Sequence, residues 1–350
     1  MEATILTHDA VRTYYGEVLS DQTDLKTTTC CSTETLPSYL KAILSGIEDE
    51  VMMKFYGCGA PIPLGLEGTT VLDLGCGTGR DVFVASKLVG SDGFVIGLDM
   101  TDEQLEVAHR HEAAQMTRFG FGQSNVAFKK GYIEDLGSAG IADDSVDVVI
   151  SNCVINLVPD KERVFQEIYR VLKSGGELYF SDVFADRRLP DAVRHDPVLL
   201  GECLGGALYT EDFRRVMSRV GFADFRIASQ SPIEVEDPVL VERVGNATFT
   251  SQTIRAFKLP DLLEDRCEDY GQVAYYNGTL PHAPHRFVLD DHHVFETGRP
   301  MLVCGNTAAM VANTRFGAHF RVIGDRSVHF GLFDCAPAAA DGGDAVGCGC

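Results

Sequence analysis

The sequence has no apolar stretch of about 18 residues, the length needed to cross a bilayer as a helix, and no basic segment leading into an apolar one near its start. Neither a membrane span nor a signal peptide is expected, and a soluble cytoplasmic protein is the default expectation. Positive charge is scarce: 30 Lys and Arg stand against 51 Asp and Glu, a formal net charge of −21. That balance argues against a nucleic-acid backbone as substrate, because phosphate recognition needs a basic face. Paired C-x-x-C knuckles are missing from the 11 cysteines, whose count is odd and spacing irregular. Neither a disulfide framework nor a structural zinc site follows. In a reducing compartment scattered cysteines are mostly buried small hydrophobes; a soft-ion or redox site is the other reading.

What is present centres on Val71-Leu72-Asp73-Leu74-Gly75-Cys76-Gly77-Thr78-Gly79-Arg80. An apolar run from Thr70 to Leu74 meets G-x-G-x-G and then a helical pattern, the signature of a buried strand turning into a helix through a glycine loop. Glycines let the backbone approach a ligand closely, and the helix N-terminus presents unpaired N–H groups. The spacing is not the dinucleotide G-x-G-x-x-G. A second apolar run, Phe94 to Met100, contains Asp99, 20 positions after Gly79. An acid at the end of a second strand can accept hydrogen bonds from both ribose hydroxyls. After a third strand, Gly131-Tyr132-Ile133-Glu134-Asp135 supplies groups where an adenine would lie. Glycine loop, ribose acid and adenine-edge segment, in that order, resemble a class I S-adenosylmethionine-dependent methyltransferase.

The pattern predicts strands near 70–75, 94–99, 126–130, 146–151 and 176–183, with helices between them. Thr101 and Gln104 have capping-box spacing at the start of a helix reaching Arg118. Lys161 to Lys173 turns Val164, Phe165, Ile168, Val171 and Leu172 inward, and Lys173-Ser174-Gly175-Gly176 reads as a glycine cap. Such alternation predicts a mostly parallel sheet covered on both faces, completed by an antiparallel edge pair near 223–228 and 250–257. Residues 9 to 20 put apolar groups on one helical face, and a second helix runs from Leu36-Pro37 through Leu40, Ile43, Leu44 and Ile47 to Val51. The expected class is therefore α/β, a class I Rossmann-like sheet with helices on both faces plus a small C-terminal α+β domain. The expected divisions are an N-terminal helical segment (1–62), a methyltransferase core (63–258) with an insert at about 186–220, a small C-terminal domain (259–335) and a flexible cysteine-ended tail (336–350).

Cys153 follows strand four, and ligands of open α/β sheets bind outside the carboxyl ends of the strands. Thiol clusters select soft ions, and three thiolates in a pyramid suit a trivalent soft centre that keeps a lone pair. The segments YGCG, DLGCGTGRD, GYIE, SNCVINLVPDK, RVLKSGGELYFSDV and GECLGGALY, across about residues 10 to 260, resemble the arsenic(III) S-adenosylmethionine methyltransferases. That resemblance implies Cys58, Cys153 and Cys203 as arsenic(III) ligands and Cys30 as a disulfide-relay thiol, with Cys31 leaving the register open by one position; Cys30 with Cys58 is the candidate relay pair. It implies S-adenosylmethionine contacts at Asp73, Gly75, Gly77, Gly79, Asp99, Met100, Ile133 and Glu134, with Tyr56 and Asn152 lining the pocket. The implied substrates are arsenite or its thiol conjugates and methylarsenite, the implied reductant thioredoxin or glutathione, and the implied purpose arsenic detoxification. Two other readings stay open. One is a methyltransferase for a small organic molecule, its cysteines mere packing. The other is a non-catalytic arsenic binder, against which the intact loop, Asp99 and Glu134 speak. His282, His285, His292 and His293 read as solvated loop residues, Cys76 as a small filler, and Cys267, Cys304 and Cys335 as structural, since they show no ligand spacing. Cys348 and Cys350 lie in the tail.

Overall fold

The structure, a computed structural model, describes residues 36–55, 60–194, 196–201, 203–235 and 237–335. Helices α1 (Ser38–Leu44) and α2 (Asp49–Met53) lead to strand β1 (Thr70–Leu74), α3 (Arg80–Val89), β2 (Phe94–Asp99), α4 (Asp102–Phe119), β3 (Val126–Lys130) and β4 (Val146–Asn152). Then come α5 (Lys161–Val171), β5 (Leu172–Ala185), α6 (Asp191–Arg194), α7 (Pro197–Gly201), β6 (Leu208–Tyr209), α8 (Thr210–Val220), β7 (Phe225–Ile233), α9 (Pro238–Val244) and β8 (Phe249–Phe257).

These strands form one sheet in the order β3-β2-β1-β4-β5-β8-β7, with β6 on the end of β5. β1 to β5 pair in parallel, and β8 runs antiparallel to both β5 and β7. The alternation along β1 shows how the sheet acquires two covered faces. Leu72 and Leu74 join a core with Val164, Phe165 and Ile168 of α5, whereas Val71 joins the opposite core with Val82 and Phe83 of α3 and Leu105 of α4. Burying both faces is what a parallel sheet demands. The expected α/β class, with helices on both faces of a mostly parallel sheet, is the class observed.

Beyond β8 the chain forms a smaller unit. It holds a three-stranded sheet of β10 (Gln272–Tyr276), β13 (Pro300–Val303) and β14 (Phe320–Ile323), a hairpin of β11 (Arg286–Val288) and β12 (Val294–Glu296), and a pairing of β9 (Glu268–Asp269) with β15 (Gly331–Leu332). Helix α10 (Gly305–Ala312) packs on it, around a core built on Tyr276, Phe287, Phe295 and Phe316. Glu177 of β5, fully buried, forms ion pairs with Arg255 of β8 and Arg315 of the smaller unit, and Arg315 also donates to the Leu64 carbonyl at 2.8 Å.

Four local expectations are corrected. The helix from Leu36 to Val51 is two short helices, interrupted at 45–48 around Gly46. Thr101 is the N-cap of α4 but makes no side-chain cap; its N–H donates to Asp99 Oδ1 instead, at 2.9 Å. The helix after Lys161 ends at Val171, because Leu172 turns extended and starts β5; Gly175, at φ +81°, lies within that strand rather than capping the helix. His293 is buried with Nδ1 at 2.8 Å from Asp290 Oδ1, and His282 stacks on Tyr39 at 4.1 Å, so neither is simply solvated. The helix read over residues 9 to 20 lies outside the described residues. Among the described residues no helix is long and apolar enough to cross a membrane.

Candidate functional site

The glycine loop carries the chain from the end of β1 into α3. Gly75, Gly77 and Gly79 have φ of +71°, +53° and +88°, in the left-handed region that favours glycine. Their surroundings differ. A Cβ on Gly75 would stand 2.4 Å from Val154 Cγ2, and one on Gly79 would stand 2.9 Å from the Phe128 ring. At Gly77 the nearest atom to such a Cβ is Gln104 Oε1 at 3.8 Å. Gly75 and Gly79 are therefore required by packing, while Gly77 leaves its backbone open toward a cavity.

That cavity encloses about 980 Å³ of empty space, open solvent at its mouth included. Asp73, Asp99 and Glu134 line it together with Met100, Ile133 and Asn152. The Asp99 carboxylate accepts from the Gly77 N–H and the Thr101 N–H, each at 2.9 Å, which ties the second strand end to the loop. Burial pushes Asp99 up from the usual carboxyl range, and the Thr101 and Gly77 N–H groups oppose that rise. Asp73 is pushed up further, first by burial and then by the charges of Asp81 and Asp99, with Arg80 acting against them. The same floor holds an ion pair: Arg80 Nη2 lies 2.8 Å from Asp81 Oδ1, and Asn152 Nδ2 donates to Asp81 Oδ2 at 3.0 Å. The Phe55 ring lies 3.2 Å from Arg80 Cζ, and Thr78 Oγ1 donates to the Val51 carbonyl at 2.9 Å, fastening α2 over the loop. Three acids around one cavity, with an open backbone at Gly77, fit a nucleoside that carries hydroxyls and positive charge.

Of the residues the sequence singled out for that ligand, Asp73, Gly75, Gly77, Asp99, Met100, Ile133, Glu134 and Asn152 line one cavity, and Gly79 is the N-cap of α3 beside it. Tyr56 lies outside the described residues. Cys76 is a buried filler in the loop, as its position suggested.

On the same rim stand two cysteines. Cys153 lines the cavity one residue after β4, and Cys203 Sγ donates to the Cys153 carbonyl at 3.4 Å. Both are buried and both have left-handed backbones, φ +56° and +63°, uncommon outside glycine. Cys153 is disulfide-bonded. Cys30 and Cys58 lie outside the described residues. Lys161 also belongs here, although the sequence reading assigned it no role. Burial brings its pKa down to about 8, against the charges of Asp182 and Cys203, and its Nζ donates to the Val158 carbonyl at 2.9 Å. Burial likewise pushes Asp182 up to about 7, opposed by the N–H groups of Val183 and Asn156. The signals were the lysine closing SNCVINLVPDK and the Arg80-Asp81 pair closing DLGCGTGRD. Both stood within quoted motifs, but their contacts span β4, β5 and the loop.

Residues 66–221 match the methyltransferase domain family, and residues 269–330 match the arsenite methyltransferase C-terminal domain. An arsenite methyltransferase of Aquipseudomonas alcaligenes is 55% identical over 93% of this chain and 94% of its own length. The arsenite methyltransferase of Homo sapiens is 43% identical over 90% of this chain and 84% of its own. The solved structure of an arsenic(III) S-adenosylmethionine methyltransferase from Chlamydomonas reinhardtii is 56% identical, with a TM-score of 0.83 covering 85% of this chain and 99% of that one. The two family matches lie one on the methyltransferase sheet and one on the smaller unit. This chain therefore belongs to the arsenite methyltransferase family and is an S-adenosylmethionine-dependent enzyme of arsenic methylation.

Proposed function

We propose that Cys153 and Cys203, joined by Cys58, hold trivalent arsenic at the rim of the cavity, and that Gly75, Gly77, Gly79, Asp99, Met100, Ile133 and Glu134 seat the methyl donor, with Asp73, Asn152 and Tyr56 lining its pocket. The observation that carries this reading is the pairing of Cys203 with the Cys153 backbone, 3.4 Å apart, on the cavity that Asp99 and the glycine loop enclose. When bound, S-adenosylmethionine supplies a methyl group on a sulfonium sulfur. The chain's own task is positioning. The thiolates keep arsenic trivalent with its lone pair toward the cavity, and Leu157 and Val158 on the cavity wall exclude water. No general base is needed, because the nucleophile is a lone pair.

Methylation of arsenic(III) leaves it formally pentavalent, so two electrons must return before a second methylation. Two cysteine thiols supply them by forming one disulfide and releasing two protons, and thioredoxin or glutathione then reduces that disulfide. Cys30, with the register open to Cys31, is the further relay thiol, paired with Cys58. The reaction serves arsenic detoxification in the cytoplasm. Arsenic speciation after incubation with arsenite, S-adenosylmethionine and a thiol reductant tests the assignment. Wild type yields mono- and dimethylated arsenic, and Cys153→Ser and Cys203→Ser each abolish both. Methylation persisting in either variant would remove that thiol from the arsenic site.

A further inference from the structure

The smaller unit carries a second group of thiols that the reaction above does not use. Cys267 precedes β9, Cys304 stands at the start of α10 and Cys335 follows β15, yet their Sγ atoms all lie within 4.8 Å of one another. Cys267 and Cys304 are buried, Cys335 is half-buried, and none is disulfide-bonded. These residues were read as structural because their sequence separations resemble no ligand spacing. The fold brings them together by pairing β9 with β15 and ending β13 beside them.

The surroundings favour thiolates. Cys304 is the N-cap of α10: the Thr307 N–H donates to its Sγ at 3.4 Å, and the Thr307 hydroxyl lies at 3.3 Å. Arg226 Nη2 donates to Cys267 Sγ and to Cys304 Sγ, each at 3.8 Å. A thiolate beside an arginine at a helix start is the reactive form of cysteine.

Coordination number and charge then select the ligand. Among the described residues no fourth His, Cys, Asp or Glu joins the three sulfurs, and Arg226, a cation, cannot ligate a metal. Structural zinc takes four protein ligands. Arg226 is already compensated by Asp224 at 2.7 Å and Asp290 at 3.4 Å. A divalent ion on three thiolates would add a net negative charge to this buried acidic surround, which is costly. Three thiolates on a trivalent centre add none.

We propose that Cys267, Cys304 and Cys335 form a second binding site for trivalent arsenic, separate from the methyl-transfer cavity. Arsenous acid exchanges its three hydroxyls for the three thiols, giving a pyramidal trithiolate and three waters with no change of oxidation state. The site retains arsenite within the smaller unit, and its loading ties together the beginning, middle and end of that unit.

The test uses the full chain carrying Cys153→Ser, Cys203→Ser, Cys348→Ser and Cys350→Ser, so its outcome is independent of methyl transfer and of the tail thiols. After reduction and anaerobic titration with arsenite, arsenic retained through gel filtration is counted by elemental mass spectrometry, and its sulfur neighbours by X-ray absorption. The expected result is arsenic with three sulfur neighbours, reduced by one equivalent per chain on adding Cys304→Ser. Serine replaces the capping sulfur by a hydroxyl oxygen that also accepts from the Thr307 N–H, so the helix start is kept. Cys335→Ser, at a half-buried position, gives the same loss without touching the core, and Cys76→Ser gives none. Arsenic stoichiometry unchanged by both Cys304→Ser and Cys335→Ser would overturn the proposal. So would zinc in the purified protein that is lost with Cys304→Ser and not displaced by arsenite.

Discussion

At the scale of single residues, the chemistry turns on which thiols are ionised. Lys161 is a cation that acts on Cys203, a thiol of the proposed arsenic site, and with its pKa near 8 it is charged at neutral pH. A nearby cation favours a thiolate, so removing it raises the pH at which Cys203 ionises. Lys161→Met is therefore expected to shift the rise of kcat/KM for arsenite methylation to higher pH by about one unit, roughly 1.4 kcal/mol of lost interaction, while Lys161→Arg keeps the wild-type profile. A pH–rate series on the three proteins checks this, and an unshifted profile for Lys161→Met would show that Lys161 does not tune the thiol. Residue chemistry was partly legible beforehand. Cys153 was assignable because it follows a strand, and position along a parallel strand predicts which edge a residue occupies. Cys267, Cys304 and Cys335 were not, because their proximity depends on the pairing of β9 with β15, a contact between distant segments that leaves no periodic trace.

At the scale of elements, the loop between β1 and α3 makes two demands that glycine meets for different reasons. Gly75→Ala puts a methyl group into Val154 at a left-handed φ, whereas Gly77→Ala has the strained φ without the clash. A non-glycine residue in that region costs about 1–3 kcal/mol. Gly77→Ala is expected to stay folded, with Tm lower by only a few degrees at that cost, and to lose S-adenosylmethionine affinity at least tenfold because its methyl group projects into the cavity. Gly75→Ala loses both. Calorimetric titration beside thermal unfolding separates the cases; full affinity in Gly77→Ala would mean that the donor does not approach that backbone. The parallel strands were legible as apolar runs, two of which meet the acids Asp73 and Asp99. Element ends were less so. The glycine pair after Lys173 resembles a helix cap, but Leu172 is already paired with Val146, and tertiary pairing of the strand overrode the local signal. The Thr101–Gln104 capping box failed for a similar reason: the Asp99 carboxylate took the Thr101 N–H, and Gln104 was drawn to the cavity.

At the scale of the whole molecule, the methyltransferase sheet and the smaller unit are joined through a buried charge. Glu177 in β5 faces Arg255 and Arg315, and Arg255 Nη1 also donates to the Leu289 carbonyl at 2.6 Å beyond β11. Removing one partner of such a group leaves uncompensated charge in the interior, typically costing about 3–5 kcal/mol. Glu177→Gln, nearly unchanged in shape, is expected to lower stability by about that much and to weaken hydrogen-exchange protection first in β10, β13 and β14. Unchanged protection there would show that the units hold together by apolar contact alone. The two left-handed cysteines, Cys153 and Cys203, bear on the stability of the entire chain. At about 1–3 kcal/mol each, their backbone strain is a large fraction of the roughly 5–15 kcal/mol by which a domain stays folded. Glycine at either position would relax the backbone and erase the thiol. Random substitution followed by selection for thermal tolerance alone should therefore drift toward a sturdier protein without those cysteines, and on the proposed role of the two side chains only selection for arsenic methylation would keep sulfur at those two turns.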